Sequence, residues 1–157
     1  KDYGHVLRND AAYAERAARI SALARDLCEL LPDMLPELAD KLQGRVVPDT
    51  LLAYHPPCTL QHGQQLRGGV ETHLSELGFK VSVASVESHL CCGSAGTYSV
   101  LQPELAFQLR DRKLGQLAPL AAQTIISANI GCIQHLQTGT STPVKHWVEV
   151  LDEALAH

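Results

Sequence analysis

Leu51-Leu52-Ala53-Tyr54-His55-Pro56-Pro57-Cys58 is the stretch on which the fold turns. A short apolar run without polar alternation reads as a buried strand, and two prolines stop it. Downstream, Leu66, Val70, Leu74 and Leu77 recur at helical spacing, with Gly78 placed to end that helix. Lys80-Val81-Ser82-Val83-Ala84 reads as a second strand. Gln102-Pro103-Glu104 carries the proline and acid of a helix start, and that helix runs to about Leu117. Thr124-Ile125-Ile126-Ser127 is a third strand, with a short helix after Cys132. Val144-Lys145 is an edge strand, and a last helix places Trp147, Val150, Leu151 and Ala154 on one side. Strands alternating with helices predict an α/β fold: a short parallel sheet of about four strands with helices on both faces.

Upstream of Thr50 the texture is helical. Residues 10–31 read as one helix, capped by Asp10, with Ile20, Leu23, Leu27, Leu30 and Leu31 at helical spacing. Pro32 and Pro36 are expected to break it, a short second helix to reach Leu42, and residues 44–49 to form a linker. The expected division is therefore a helical linker segment over 1–49 and an α/β domain over 50–157. The chain opens Lys1-Asp2-Tyr3-Gly4, with neither an initiator Met nor a signal peptide, as expected of a piece of a longer protein.

The chain has 157 residues, 13 Lys+Arg against 17 Asp+Glu, and a net charge of −4. That balance removes the electrostatic reason to expect nucleic acid or an anionic membrane as partner. Hydrophobic residues make up 45% and aromatics only 4%, so Leu, Ala and Val must build the core. No apolar run approaches the roughly 18 residues of a transmembrane span. Five cysteines, an odd number, argue against a closed secreted disulfide framework and for metal or redox chemistry in a reducing compartment.

Four of the five follow predicted strands: Cys58 after strand 50–55, Cys91-Cys92 after strand 80–86, Cys132 after strand 124–128. In a parallel sheet all carboxyl ends lie on one edge, where open α/β folds bind their ligands, so these thiols are expected to converge. Three histidines accompany them, as His55-x-x-Cys58, His89-x-Cys91-Cys92 and Cys132-x-x-His135. His55, His89 and His135 are candidate metal ligands, although a histidine in a turn is commonly only a hydrogen-bonding group. Gly93, Gly96 and Gly131 let the backbone bend closely around a bound group, and its N–H groups can bond to sulfur. Cys28, beside Leu27 on the first helix, reads as a small core residue.

Structural zinc is usually held by two C-x-x-C-type knuckles, and only Cys132-x-x-His135 resembles one. Adjacent Cys91 and Cys92 can hardly both ligate one small ion. Their Cα atoms, about 3.8 Å apart, are also too close for the usual disulfide range, which starts near 4.4 Å. They can reach different irons of a larger group, so a polynuclear iron–sulfur cluster fits the pattern best. The run Cys92-Gly93-Ser94-Ala95-Gly96-Thr97 lacks the spacing and the lysine of a nucleotide loop.

Cys58, 32 intervening residues, Cys91-Cys92, 39 intervening residues and Cys132 resemble the cysteine-rich CCG domain found in heterodisulfide reductases and in glycolate and lactate oxidase iron–sulfur subunits. The strings His55-Pro56-Pro57-Cys58-Thr59-Leu60-Gln61-His62-Gly63-Gln64, Glu87-Ser88-His89-Leu90-Cys91-Cys92-Gly93-Ser94-Ala95-Gly96-Thr97-Tyr98 and Ala128-Asn129-Ile130-Gly131-Cys132 resemble the glycolate oxidase type, as does His146-Trp147. The resemblance covers residues 50–157, with 1–49 as the segment joining two such domains. It implies a C-terminal CCG domain preceded by ferredoxin-type domains and a first CCG domain. It further implies an iron–sulfur cluster on Cys58, Cys91, Cys92 and Cys132, of the 4Fe-4S type or an unusual form of it. The family pattern ends in C-x-x-C, and here the last position is His135. Either His135 is a ligand or the site has one protein ligand fewer.

The resemblance thus implies electron transfer within a glycolate (2-hydroxy acid) oxidising complex, from a flavin-containing subunit towards a quinone-type acceptor. No acid–base machinery for the oxidation itself is apparent, so this stretch alone is not expected to be catalytic. The implied location is cytoplasmic, or peripheral on the inner face of the cytoplasmic membrane. Two other readings stay open: a structural or docking domain with zinc or an empty site, and a disulfide reductase-type subunit. A cluster near an exposed crevice is oxidation-prone, so the chain is expected to be isolable without metal.

Overall fold

The structure is a computed structural model and describes residues 1–45 and 49–156. The linker expected over 44–49 lies in part outside the described residues. The chain divides into two compact units, Lys1–Met34 and Leu35–His157.

In the first unit, α1 spans Tyr3–Val6 and α2 spans Ala14–Leu23. Asp10 caps the turn that leads into α2, its carboxylate accepting from the N–H of Ala12 (2.9 Å) and Tyr13 (3.1 Å). The single helix expected over 10–31 is in fact two, because Ala24 is extended (ψ 114°) and α3 starts afresh at Leu27 and runs to Leu42, past the end of the first unit. The cause is a reciprocal cap. Asp26 accepts from the Cys28 N–H at 3.1 Å, while the Glu29 carboxylate accepts from the Asp26 N–H at 2.7 Å. The break expected at Pro32 and Pro36 does not occur, and α3 continues through both. The prolines are four residues apart, so the N–H missing at Pro36 is the one that would have bonded the Pro32 carbonyl. Leu31, Leu38 and Leu42 are buried at helical spacing along α3.

The second unit is built on four strands: β1 Leu51–Tyr54, β2 Lys80–Val83, β3 Thr124–Ser127 and β4 Val144–His146. All pair in parallel, in the order β2-β1-β3-β4. Leu52 lies opposite Thr124 and Tyr54 opposite Ile126. The central strands are buried over three of their four positions, which is why β1 and β3 read as continuous apolar runs. Helix α4 (Gly69–Glu76) leads into β2, α5 (Tyr98–Leu101) and α6 (Pro103–Leu117) into β3, and α7 (Ile130–Gln137) into β4. Helix α8 (Trp147–Ala156) closes the unit.

Gly78 ends α4 as expected. At φ 96° it donates to the Ser75 carbonyl, and Phe79 donates to that of Leu74, the paired bonds of a Schellman motif. Because β2 lies on one side of β1 and β3 on the other, right-handed crossovers put α4 on one face of the sheet and α6 and α7 on the other. The reversal opens a crevice between the carboxyl ends of β1 and β3, the switch point at which open α/β sheets bind ligands. Among the described residues no helix is long and apolar enough to cross a membrane.

Candidate metal centre

Three strand ends deliver the thiols. β1 ends at Tyr54, and His55 still belongs to the sheet: its N–H donates to the Ile126 carbonyl (2.8 Å), and its own carbonyl accepts from Ser127 Oγ (2.8 Å). Pro56 and Pro57 then turn the chain into a π-helical turn, Thr59–Gly63, capped by Cys58. Beyond β2, residues 84–97 form the loop that carries Cys91 and Cys92. Beyond β3, Asn129 caps α7, its side chain accepting from the N–H of Gly131 (2.9 Å) and Cys132 (3.3 Å). Cys132 therefore stands in the first turn of α7, beside the switch crevice.

The four thiols form one string. Each thiol influences the titration of the next, Cys91 that of Cys58, Cys92 that of Cys91 and of Cys132. Ser94 Oγ sits among them, accepting from Cys92 Sγ at 3.3 Å and donating to Cys132 Sγ at 3.7 Å. The Gly93 N–H donates to Cys91 Sγ at 3.3 Å, a backbone-to-sulfur bond of the expected kind. All five cysteines are free thiols. Burial, then Cys91, pushes the Cys58 thiol up to about 11. The hydrogen bond to Cys92, then burial, holds the Cys91 thiol well above its ordinary range. Cys132 is held below its ordinary value, first by its hydrogen bond to Cys92 and then by Ser94, against its burial.

Helix α6 clamps the loop from outside. Gly93 has φ 95°, and a Cβ there would meet the Ala106 carbonyl oxygen at 2.4 Å, so only glycine fits after the cysteine pair. Lys113, 2% exposed, donates to the carbonyls of Glu87 (2.6 Å) and Ser88 (3.3 Å). Arg112 pairs with the Glu87 carboxylate and holds it below the usual carboxylate range. These bonds pin Glu87 at its positive φ of 54°. Burial pushes the Lys113 ammonium down, while Cys58, Cys92, Glu87 and Cys91 hold it up. It is a cation set against the thiols.

The histidines separate. His55 is buried, and its ligand nitrogen lies with Cys92 Sγ and Cys132 Sγ in a group whose atoms are all within 4.8 Å of one another. Neither ring nitrogen of His55 has a hydrogen-bond partner. His135, also buried, directs Nε2 to the Ala106 carbonyl at 3.1 Å and stacks on Phe107 at 5.9 Å. His89 is exposed, and its carbonyl takes a 3.2 Å contact from His62 Nε2. Cys28 lies in the other unit, buried and pushed up to about 12, chiefly by burial.

Soft thiolates with an imidazole at one edge are a donor set for zinc, iron or an iron–sulfur group, and the orphaned His55 nitrogens mark a place where a further atom is needed. Sequence reasoning did not single out Lys113, Ser94 or Ala106. Asn129 carried a signal, a preferred N-cap type three residues before Cys132. Lys113 carried none, because nothing local distinguishes a buried lysine on a polar helix.

The profile of the CCG cysteine-rich domain matches residues 52–137, and the chain belongs to that family. It is 49% identical over 155 residues to the glycolate oxidase iron-sulfur subunit of Escherichia coli (strain K12), covering 99% of this chain and 37% of that protein. It is 29% identical over 162 residues to lactate utilization protein A of Geobacillus thermodenitrificans (strain NG80-2), covering 97% of this chain and 64% of that one. It is 27% identical over 171 residues to the probable glycolate oxidase iron-sulfur subunit of Bacillus subtilis (strain 168), covering 99% and 36%. The chain thus spans less than two thirds of the length of each of these relatives.

Proposed function

We propose that this chain is an iron–sulfur electron-transfer domain of a complex that oxidises a 2-hydroxy acid, with glycolate as the substrate of the complex. The observation that carries the reading is the string of Cys58, Cys91, Cys92 and Cys132 at one sheet edge. The similarity to an iron-sulfur subunit over nearly the whole chain supports it. Those four thiolates would hold the cluster. Bound there, a cluster of the 4Fe-4S type supplies one-electron storage and transfer.

The residues around it have separate tasks. Gly93 and Asn129 place the sulfurs, and the Lys113 ammonium offsets their negative charge. The burial of Cys92 and Cys132 excludes water from one side. On this reading residues 1–49 join the domain to a preceding one, a flavin-containing subunit delivers electrons, and a quinone-type acceptor takes them. The location is the cytoplasm or the inner face of its membrane.

Anaerobic reconstitution followed by iron and acid-labile sulfide analysis and EPR tests the reading. Stoichiometric iron and sulfide, lost in Cys92→Ser, are expected. A folded, anaerobically reconstituted chain that takes up neither iron nor sulfide overturns it. The compact set of His55, Cys92 and Cys132 favours a second reading, a single zinc ion in a docking domain, for which stoichiometric zinc without sulfide is the signature.

A further inference from the structure

We infer that His55 is a metal ligand of this centre, its imidazole binding metal beside the thiolates of Cys92 and Cys132. The inference rests on the reading that the cysteine site holds metal, and goes beyond it in naming a nitrogen ligand.

Burial is the first ground. His55 is 1% exposed, and both ring nitrogens lack a partner. A buried polar group without a partner has given up its hydration for nothing in return, so such a group in a native site needs a reason. Three other buried polar side chains at these strand ends and on the helix that clamps the loop are satisfied. Ser127 Oγ donates to the His55 carbonyl, Gln61 Nε2 to the Pro56 carbonyl at 2.6 Å, and Lys113 Nζ to two loop carbonyls. Glu71 Oε2 and Trp147 Nε1 are likewise buried without a partner, so what singles out the orphaned imidazole is the pair of thiols beside it.

Distance is the second. The ligand atoms of His55, Cys92 and Cys132 lie within 4.8 Å of one another. Two atoms on one tetrahedral ion, at bond lengths of about 2.0–2.3 Å, stand roughly 3.6–3.8 Å apart. A shift of about an ångström or less per side chain closes that gap. The backbone under His55 cannot wander, because both its N–H and its carbonyl are tied to β3.

Exclusion of the rival is the third. His135 follows Cys132 at metal-knuckle spacing, but its Nε2 is bonded to the Ala106 carbonyl and its ring is stacked on Phe107. Finally, the arrangement resolves the adjacent pair. Cys92, and not Cys91, is grouped with His55 and Cys132, which leaves Cys91 free to serve a different metal ion. A neutral imidazole in place of a thiolate removes one negative charge, and histidine ligation raises the potential of the iron–sulfur centres that use it.

Co(II) is the probe, added anaerobically to the full chain and followed through its thiolate-to-cobalt and d–d absorption. His55→Gln is expected to weaken Co(II) binding by at least about 10- to 100-fold, the loss that even outer-shell partners of a metal command, and to shift the d–d envelope. His55→Cys is expected to restore tight binding with stronger thiolate-to-cobalt absorption, which a merely structural histidine would not allow. His135→Gln is expected to leave the d–d envelope unchanged. Far-UV circular dichroism checks each variant, and the His55→Cys arm decides if His55→Gln does not fold. Wild-type affinity and spectrum in His55→Gln overturn the inference. So does a loss seen in His135→Gln instead, or a wild-type chain that binds no Co(II). Iron and sulfide analysis of the same preparations judges the cluster reading separately. Cobalt held through His55 with no uptake of iron and sulfide sinks that reading alone; a full cluster with His55→Gln unchanged sinks this inference alone.

Discussion

Gly93→Ala is predicted to be the most damaging single-methyl change in the second unit. The new Cβ would lie 2.4 Å from the Ala106 carbonyl oxygen and 3.1 Å from both its carbonyl carbon and its Cα. These are backbone atoms of α6, so no side-chain rotation relieves the contact. The loop or the helix must move by roughly 0.8 Å to restore ordinary separation, and overpacking of that kind costs about 1–3 kcal/mol. The backbone stays at φ 95°, which adds about 1–3 kcal/mol for a residue with a Cβ. Alanine recovers about 0.4–1 kcal/mol by restricting the unfolded chain. The net loss is about 1–5.6 kcal/mol, or roughly 5- to 10,000-fold in the folding equilibrium.

Gly96→Ala is the matched control, with φ 49° and nothing within 4 Å of the new methyl; it is expected to cost about 1 kcal/mol. Urea unfolding of the two variants and the parent, at equal slope, reads the difference as a shift in midpoint. Displacing Ala106 also strains the bond to His135, so the imidazole resonances of His135 should move in Gly93→Ala and not in Gly96→Ala. If Gly93→Ala loses no more stability than Gly96→Ala, the clamping of the cysteine loop by α6 is wrong.

Asn129→Ala removes the acceptor for the Gly131 and Cys132 N–H groups and should cost about 1 kcal/mol in thermal or urea unfolding. Lys113→Met leaves the carbonyls of Glu87 and Ser88 without their donor and should destabilise the unit by about 2–4 kcal/mol. In the loaded protein it should also shift the midpoint of a redox titration to more negative values, since a cation beside the thiolates is lost. An unchanged or more positive midpoint contradicts the counter-charge role. Cys28, buried and pushed up to about 12, should resist iodoacetamide at pH 8 in the folded chain and react only on unfolding, as read by peptide mass spectrometry. Cys28→Ser should leave metal uptake unchanged, whereas Cys132→Ser should abolish tight uptake.

Much of the architecture was legible because its signals are local. β1 and β3 announce themselves as short apolar runs, since a parallel strand covered on both faces has no solvent side to make polar. Gly78 and Pro103 mark helix ends through backbone freedom and a missing N–H. The same locality misled at the N-terminal helices. Helical spacing runs through Asp26, but the Asp26–Glu29 cap makes a new start there. Proline argues for a stop at Pro32 and Pro36, but α3 runs through both, with buried leucines at helical spacing.

By itself the sequence determined that four thiols would lie at one end of the sheet, because strand direction in an α/β alternation puts every following turn on one edge. Which histidine would join them was a tertiary matter. His55, His89 and His135 each stand two or three residues from a cysteine, and spacing alone could not rank them. The fold separates them: β3 holds His55 inside the switch crevice, α6 takes the Nε2 of His135, and His89 is left exposed. Lys113 was equally hidden, since burial and the charges around a side chain come from elements far away in the chain. Local chemistry sets where the chain turns; which side chains meet, and which are left unsatisfied, is decided only when distant elements pack.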